Sequence, residues 1–291
     1  MGRYRMRIEV SFDPGNGVSS IYDGKNMYHS ISASGRVPMG GLHIPDRQVL
    51  KIRQDGRYTF GPTALKEAQG RLPSLGAEGR YYDGFTRRML LSLLHTHYSG
   101  QEVDLATMLP IHYYNDKNIR TKVKESFIGS HQIEDKQFTI KNVTIKPEGV
   151  TALGLLIPES DTSFLIIDCG QFTTNVISVF DKSVAPDSSF SIPIGVERIV
   201  ELVRESQECN YMFARKTVRK RECKDEETFA GKEIRNALQS RLRTADKYDR
   251  LVVVGGGSYY FTEYLEGFAY QRIPVNEPEY ANVKGLHALT F

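Results

Sequence analysis

Residues 7–23 read RIEVSFDPGNGVSSIYD, and residues 164–180 read FLIIDCGQFTTNVISVF. The two stretches share one pattern: an apolar strand, then Asp-x-Gly, then hydroxyl residues, then a second apolar strand. Aligned, Asp13 meets Asp168, Gly15 meets Gly170 and Ser19 meets Thr174. Apolar arms suit strands and glycine suits a sharp turn, so each copy predicts a tight β-hairpin. One Asp-x-Gly turn carries little weight, because the aspartate can simply cap its own turn. Two copies, one opening each half of the chain, point to an internally duplicated architecture.

The chemistry of these turns is specific. A glycine-bearing hairpin presents consecutive backbone N–H groups, which form an anion-binding concavity. Two such turns facing each other would clamp a polyphosphate and bring Asp13 and Asp168 to one cleft. Close carboxylates repel unless a cation lies between them. Hard oxygen ligands beside phosphates suit Mg²⁺, which keeps several of its waters. A third glycine signal is VVVGGGSYYFTEYL at 252–265. A strand runs into Gly255, Gly256 and Gly257 and then into a helical segment, which lets backbone approach a nucleotide. Neither a Walker A motif nor a complete GxGxxG is present, which disfavours P-loop and Rossmann readings.

Outward from these motifs, β-rich runs fall at 7–12, 103–109, 138–145, 164–167 and 251–254, and helical patterns at 84–95, 196–208 and 229–242. Strands interleaved with helices predict an α/β protein with mixed sheets. Residues 32–75, rich in Gly, Pro and Arg, read as a small inserted subdomain. A length of 291 residues suits one large or two medium domains. A surplus of three basic residues is no concentrated basic face of the kind that binds nucleic acid. No apolar run approaches the ~20 residues of a membrane span, and the N-terminal residues lack the apolar core of a signal peptide. Cys169, Cys209 and Cys223 have no CxxC spacing, so neither zinc nor a disulfide framework is implied, and a reducing cytoplasm is expected. The basic run ARKTVRKRECK at 214–224 reads as a solvated face or a protein contact.

The order of the motifs resembles that of the actin, Hsp70 and sugar-kinase superfamily: phosphate 1, connect 1, phosphate 2, connect 2 and adenosine. Within it the chain is most similar to the ParM (StbA) plasmid-segregation actins. The similar segments are YTFGPTAL at 58–65, VDLATMLPIHYYND at 103–116, FTIKNVTIKPEGVTALG at 138–154, SFLIIDCGQFTTNVISVF at 163–180 and PEYANVKGLHAL at 278–289. Three features depart from the family pattern. Phosphate 1 ends in serines where many relatives carry Thr-Lys. Phosphate 2 has Gln171 and Phe172 where glycines are common, and Asn175 where an acidic residue is common. Only 86 residues lie between Asp168 and Gly255, so the second lobe resembles the trimmed one of AlfA-type actins.

The resemblance implies an actin-like two-lobed α/β fold with duplicated ribonuclease-H-like mixed sheets and a nucleotide cleft between the lobes. The first lobe would span 1–155, with the inserted subdomain at about 32–75 and a C-terminal helix, 278–291, returning to it. The second would span 156–277, with a trimmed outer subdomain at about 197–245. It further implies a Mg²⁺-dependent nucleotide triphosphatase that uses ATP (or GTP). Asp13 and Asp168 would orient Mg²⁺ through its waters, and Glu148 would position the attacking water. Backbone around Gly15, Asn16, Gly17, Gly170, Gln171 and Phe172 would hold phosphates, with hydroxyl contacts from Ser19 and Thr173. Gly255, Gly256 and Gly257 would flank the adenosine and α-phosphate. The partner would be the chain itself, in a dynamic filament that segregates plasmid DNA through a DNA-binding adaptor of ParR type. No direct nucleic-acid or membrane contact is expected. The alternatives are a structural bacterial actin, a small-molecule kinase of the same superfamily, and a catalytically dead scaffold.

Overall fold

The computed structural model describes residues 7–36, 49–53, 56–67, 78–156, 162–242 and 248–291. The chain divides into two compact units, Met1–Lys146 with Leu286–Phe291, and Pro147–Gly285.

The first unit opens with β1 (Arg7–Asp13), β2 (Val18–Tyr22) and β3 (Met27–Ile31), an antiparallel meander. Val10 and Phe12 of β1 and Ile21 of β2 are fully buried. Then come β4 (Ser34–Arg36), β5 (Val49–Ile52), β6 (Gly56–Phe60), α1 (Gly61–Glu67), α2 (Phe85–His97) and β7 (Glu102–Leu109). The helix α2 buries Met89, Leu90, Leu91 and Leu94 completely, so the crossover from the meander to β7 is itself core. The strand β7 runs parallel to β1, with Phe12 beside Thr107. The chain continues through α3 (Ile111–Tyr114), α4 (Lys117–Phe127), β8 (Gly129–Ile133) and β9 (Lys136–Pro147). In α4, Ile119, Val123 and Phe127 form one buried stripe at helical spacing. Its N-cap, Asp116, accepts from the N–H groups of Asn118 and Ile119. Among the described residues these nine strands form one sheet in the order β3-β2-β1-β7-β9-β8-β5-β6-β4. The segment read as an insertion therefore supplies β4, β5 and β6, which continue the sheet beyond β8. Much of 32–75 lies outside the described residues.

The second unit repeats the opening. Its strands are β10 (Phe164–Cys169), β11 (Thr174–Phe180), β12 (Ser183–Val184) and β13 (Phe190–Ile192). Three helices follow, α5 (Val196–Ser206), α6 (Tyr211–Lys220) and α7 (Lys224–Arg241), then β14 (Tyr248–Val254), α8 (Ser258–Phe261), β15 (Ala269–Ile273) and α9 (Ala281–Ala288). The sheet order is β12-β11-β10-β14-β15, with β13 also on β11. The strand β10 is buried along its whole length and runs parallel to β14. Ile199, Val200 and Val203 of α5, Ala214 and Val218 of α6, and Ala230, Ile234 and Leu238 of α7 pack with Leu165, Ile167 and Val253 of the sheet in one core.

The hairpin repeat seen in the sequence is a repeat of register. Asp13 pairs with Ser20, as Asp168 pairs with Asn175, and Phe12 pairs with Ile21, as Ile167 pairs with Val176. In each unit the first hairpin strand has a parallel neighbour on its other side, β7 or β14. A one-residue slip would turn every side chain to the wrong face, so the shared register places both aspartates equivalently within their own sheets.

Candidate functional site

In the first unit, Asp13 is the last residue of β1, at the shoulder of the turn Pro14–Gly17. The turn is held from behind. Ser19 Oγ and Ser32 Oγ lie 2.8 Å apart, Ser32 Oγ donates to Gly15 O, and Ser32 N donates to Gly17 O at 3.1 Å. Ser19, expected to supply a hydroxyl contact to phosphate, is buried within this set of hydrogen bonds. Arg80, only 3% exposed, donates Nη2 to Pro14 O. Its guanidinium lies 4.9 Å from the Tyr81 ring centre. Among the described residues, Nε and Nη1 of Arg80 and Oδ1 of Asn16 are buried without a hydrogen-bond partner. Carbonyls clamped from one side leave a turn's N–H groups to face the other, the arrangement an anion requires.

In the second unit, Gly170 N closes the turn on Thr173 O at 2.8 Å. The carbonyls of Gly170 and Gln171 accept from Val196 N at 3.2 Å and Glu197 N at 2.7 Å, so the first N–H groups of α5 are satisfied by the turn. Gln171 Nε2 donates to Glu197 Oε2 at 2.8 Å, which ties the side chain to α5. Phe172 and Thr173 are half-buried at the turn's tip. Asp168 is 3% exposed. Burial pushes its carboxyl above the ordinary carboxylate value, and hydrogen bonds from Asn282 and Asn175 offset part of that rise. The Cys169 thiol is pushed far up by the same burial, which leaves it inert as a nucleophile.

The glycine turn after β14 packs on this hairpin. Gly255 has φ +82°, and a Cβ there would lie 2.5 Å from Asp168 Oδ1 and 2.4 Å from Cys169 O. Gly257 N donates to Cys169 O at 2.7 Å, and Gly255 N to Pro278 O at 2.8 Å. Gly256 faces open space. Beside the turn lies a cavity of about 280 Å³ whose lining includes Ser258, Tyr259, Thr262, Arg272 and Pro278. Ser258 Oγ is buried without a partner among the described residues. Glu148 is half-buried and follows the last residue of β9.

Within the second unit the structure therefore gathers Asp168, Gly170 and the 255–257 turn, while the first unit holds Asp13 with Gly15, Asn16 and Gly17. Reading the sequence missed Arg80, Ser32, Thr151 and Asn282, since nothing in local sequence marks a residue whose partner lies 17 positions away, as for Ser32 and Gly15, 66 for Arg80 and Pro14, or 131 for Thr151 and Asn282. The basic run 214–224 lies mainly on α6, where Lys216, Arg219 and Lys220 are exposed while Arg215 and Val218 are buried. Among the described residues no helix is long and apolar enough to cross a membrane.

Residues 11–150 match the family model for the N-terminal domain of actin-like proteins. No curated protein matches the chain. Among solved structures, the ADP complex of the archaeal actin homologue Ta0583 is 17% identical, with a TM-score of 0.80 over 97% of this chain and 98% of that one. The subunit of a 15-stranded ParM filament from Clostridium botulinum is 16% identical, with a TM-score of 0.77 over 98% and 99%. The filament subunit AlfA, from B. subtilis plasmid pLS32, is 18% identical, with a TM-score of 0.68 over 98% and 99%. Residues 11–150 are thus similar to the N-terminal domain of actin-like proteins, and the chain has the actin-like fold.

Proposed function

We propose that this protein is a Mg²⁺-dependent ATPase that polymerises in its ATP form. The observation that carries the reading is the repeated hairpin register, which puts an aspartate at the shoulder of a carbonyl-clamped turn in each unit. Turn N–H groups at Gly15, Asn16 and Gly17, and at Gln171 and Phe172, would bind phosphate oxygens; the Gly170 N–H, expected to join them, is taken by Thr173 O. The 255–257 turn and the cavity beside it would take the nucleoside, where the buried Ser258 Oγ lacks a partner. ADP in Ta0583 supports a nucleotide as ligand; GTP is the other candidate.

The residues present fit a magnesium ion held mainly by water and phosphate. Among the described residues no three His, Cys, Asp or Glu side chains gather into a metal cage, and Mg²⁺ commonly relies on one or two carboxylates plus phosphate oxygens. Asp13 and Asp168 would orient its waters, and the ion would neutralise charge on the transferring phosphoryl group. Glu148 would orient the attacking water. Phosphoryl transfer asks mainly for position and charge, which a short set of residues supplies.

The filament forms of ParM and AlfA support self-assembly. Plasmid segregation through a DNA-binding adaptor in the cytoplasm is the finer form of this proposal. Phosphate release and nucleotide binding by the purified chain test the core of it. Release that requires both ATP and Mg²⁺ is expected. Absence of binding to ATP, ADP and GTP alike would sink the reading, and turnover only with an added sugar or acid acceptor would make the chain a kinase.

A further inference from the structure

We infer that Asn282 is the positioning residue that holds the Glu148 segment and the Asp168 carboxylate in one frame. The inference rests on the ATPase reading above. Asn282 lies in α9 and is 5% exposed. Its Nδ2 donates to Asp168 Oδ2 at 2.9 Å, and its Oδ1 accepts from Thr151 Oγ1 at 3.0 Å. Thr151 is fully buried and is separated from Glu148 only by Gly149 and Val150. The orientation of the amide follows from its partners: a carboxylate accepts and the threonine hydroxyl can donate.

One side chain therefore joins three stretches far apart in sequence: the turn carrying Glu148, the strand carrying Asp168, and α9. The frame is reinforced at both ends. Asn175 also hydrogen-bonds the Asp168 carboxylate, and Ser191 Oγ donates to Asn175 Oδ1 at 2.7 Å. On the other side, α9 meets the 3₁₀ turn Val150–Leu155 backbone to backbone. A Cβ on Gly154 would lie 2.1 Å from Gly285 O, and one on Gly285 would lie 2.1 Å from Thr151 O. The turn and the helix have no room to slide past each other, and the amide sets their register against β10.

A primary amide suits this post because it accepts at one end and donates at the other without adding charge. Aspartate would face Asp168 with a second carboxylate, and leucine would leave both partners unmet. Fully satisfied buried networks fix geometry, and displacing reacting groups by ~1 Å costs on the order of 10²-fold in rate. Asn282 touches no reacting atom in this account, so its loss acts through Glu148 and Asp168.

The test separates positioning from stability through Thr151. Thr151→Val keeps the volume and removes the hydroxyl; Thr151→Ser keeps the hydroxyl and removes a buried methyl. Positioning predicts that Thr151→Val lowers kcat by about 10-fold, while Thr151→Ser keeps kcat within about threefold although it melts lower. Asn282→Leu should lower kcat by about 10–10²-fold and raise the Kd for ADP measured without Mg²⁺ by no more than about threefold. The Thr151 pair decides alone if Asn282→Leu does not fold. A hydrolysing wild type with unchanged kcat in Thr151→Val, or with kcat tracking melting temperature across the pair, overturns this inference alone. A wild type that releases no phosphate overturns the ATPase reading, and this inference with it.

Discussion

Asp168 occupies a place where a negative charge is costly. It is buried among a strand, a glycine turn and two amides, and its carboxyl is raised above the usual 3.8. Between that value and the raised one, the folded chain keeps a proton that the unfolded chain has lost. The stability present at low pH is therefore lost as pH rises through that window. Asp168→Asn removes the titrating group, so the ligand-free variant should melt above wild type at pH 7.5, with the gain shrinking toward pH 3.8. The same variant should lose Mg²⁺-dependent nucleotide affinity, the trade expected where function keeps a strained group. Thermal melts across pH without ligand check the first half; no gain at pH 7.5 would mean the amides fully compensate the charge. Glu148→Ala should behave differently. A residue that activates water contributes ~10²–10⁴ in rate, mostly in the transition state. Phosphate release should collapse while nucleotide titrations barely change; an unchanged rate removes Glu148 from the mechanism. Asp13 and Asp168 stand out in the sequence because each sits in the repeated Asp-x-Gly pattern, whereas Glu148 is proposed from the resemblance of its Pro-Glu segment alone. Arg80 and Asn282 do not stand out, because their partners are brought to them only by folding.

Among elements, the hairpins were the most readable, since an apolar–turn–apolar pattern is complete within a few residues. Helix starts were less so. The pattern in 229–242 begins at the first clear apolar repeat, yet α7 starts at Lys224. Its first turn holds Asp225, Glu226 and Glu227, polar residues that periodicity ignores but that favour a helix N-terminus through the peptide dipoles. The helix α6 went unread because exposed Met212 and Phe213 sit beside its buried face and blur the stripe. The glycine turn gives a prediction at this scale. Gly255→Ala puts a Cβ against Asp168 and Cys169 at positive φ and should cost about 1–3 kcal/mol. Gly256→Ala has open space and should stay within about 0.5 kcal/mol. Denaturant melts of the two variants check this, and equal costs would show that the turn does not pack as described. Triple glycine therefore reads as one motif in sequence but as two required positions and one permissive position in structure.

For the whole molecule, duplication was legible because one pattern occurs twice. The place where the chain passes between units, Lys146 to Pro147, was not, since it falls at the last residue of β9 and not in a linker. Assembly carries the last prediction. The proposed filament would prefer the ATP form, and linkage then requires that ATP favour polymer by the same free energy. Head-to-tail contacts between different surfaces of identical subunits do not close, so they propagate. ATP or a non-hydrolysable analogue should lower the critical concentration for pelleting relative to ADP by about 5–150-fold, the range of ordinary coupling energies of ~1–3 kcal/mol. Reciprocally, the preference for ATP over ADP should be greater in polymer than in monomer by that same factor. Both quantities can be measured independently, by sedimentation across protein concentration and by ATP and ADP titrations above and below the critical concentration. Agreement between the two factors would establish nucleotide-linked assembly without reference to any relative. Equal pelleting in ATP and ADP would keep a filament and remove the hydrolytic switch. No pelleting in any nucleotide, well above micromolar protein, would leave an ATPase without assembly and move the reading toward a monomeric kinase.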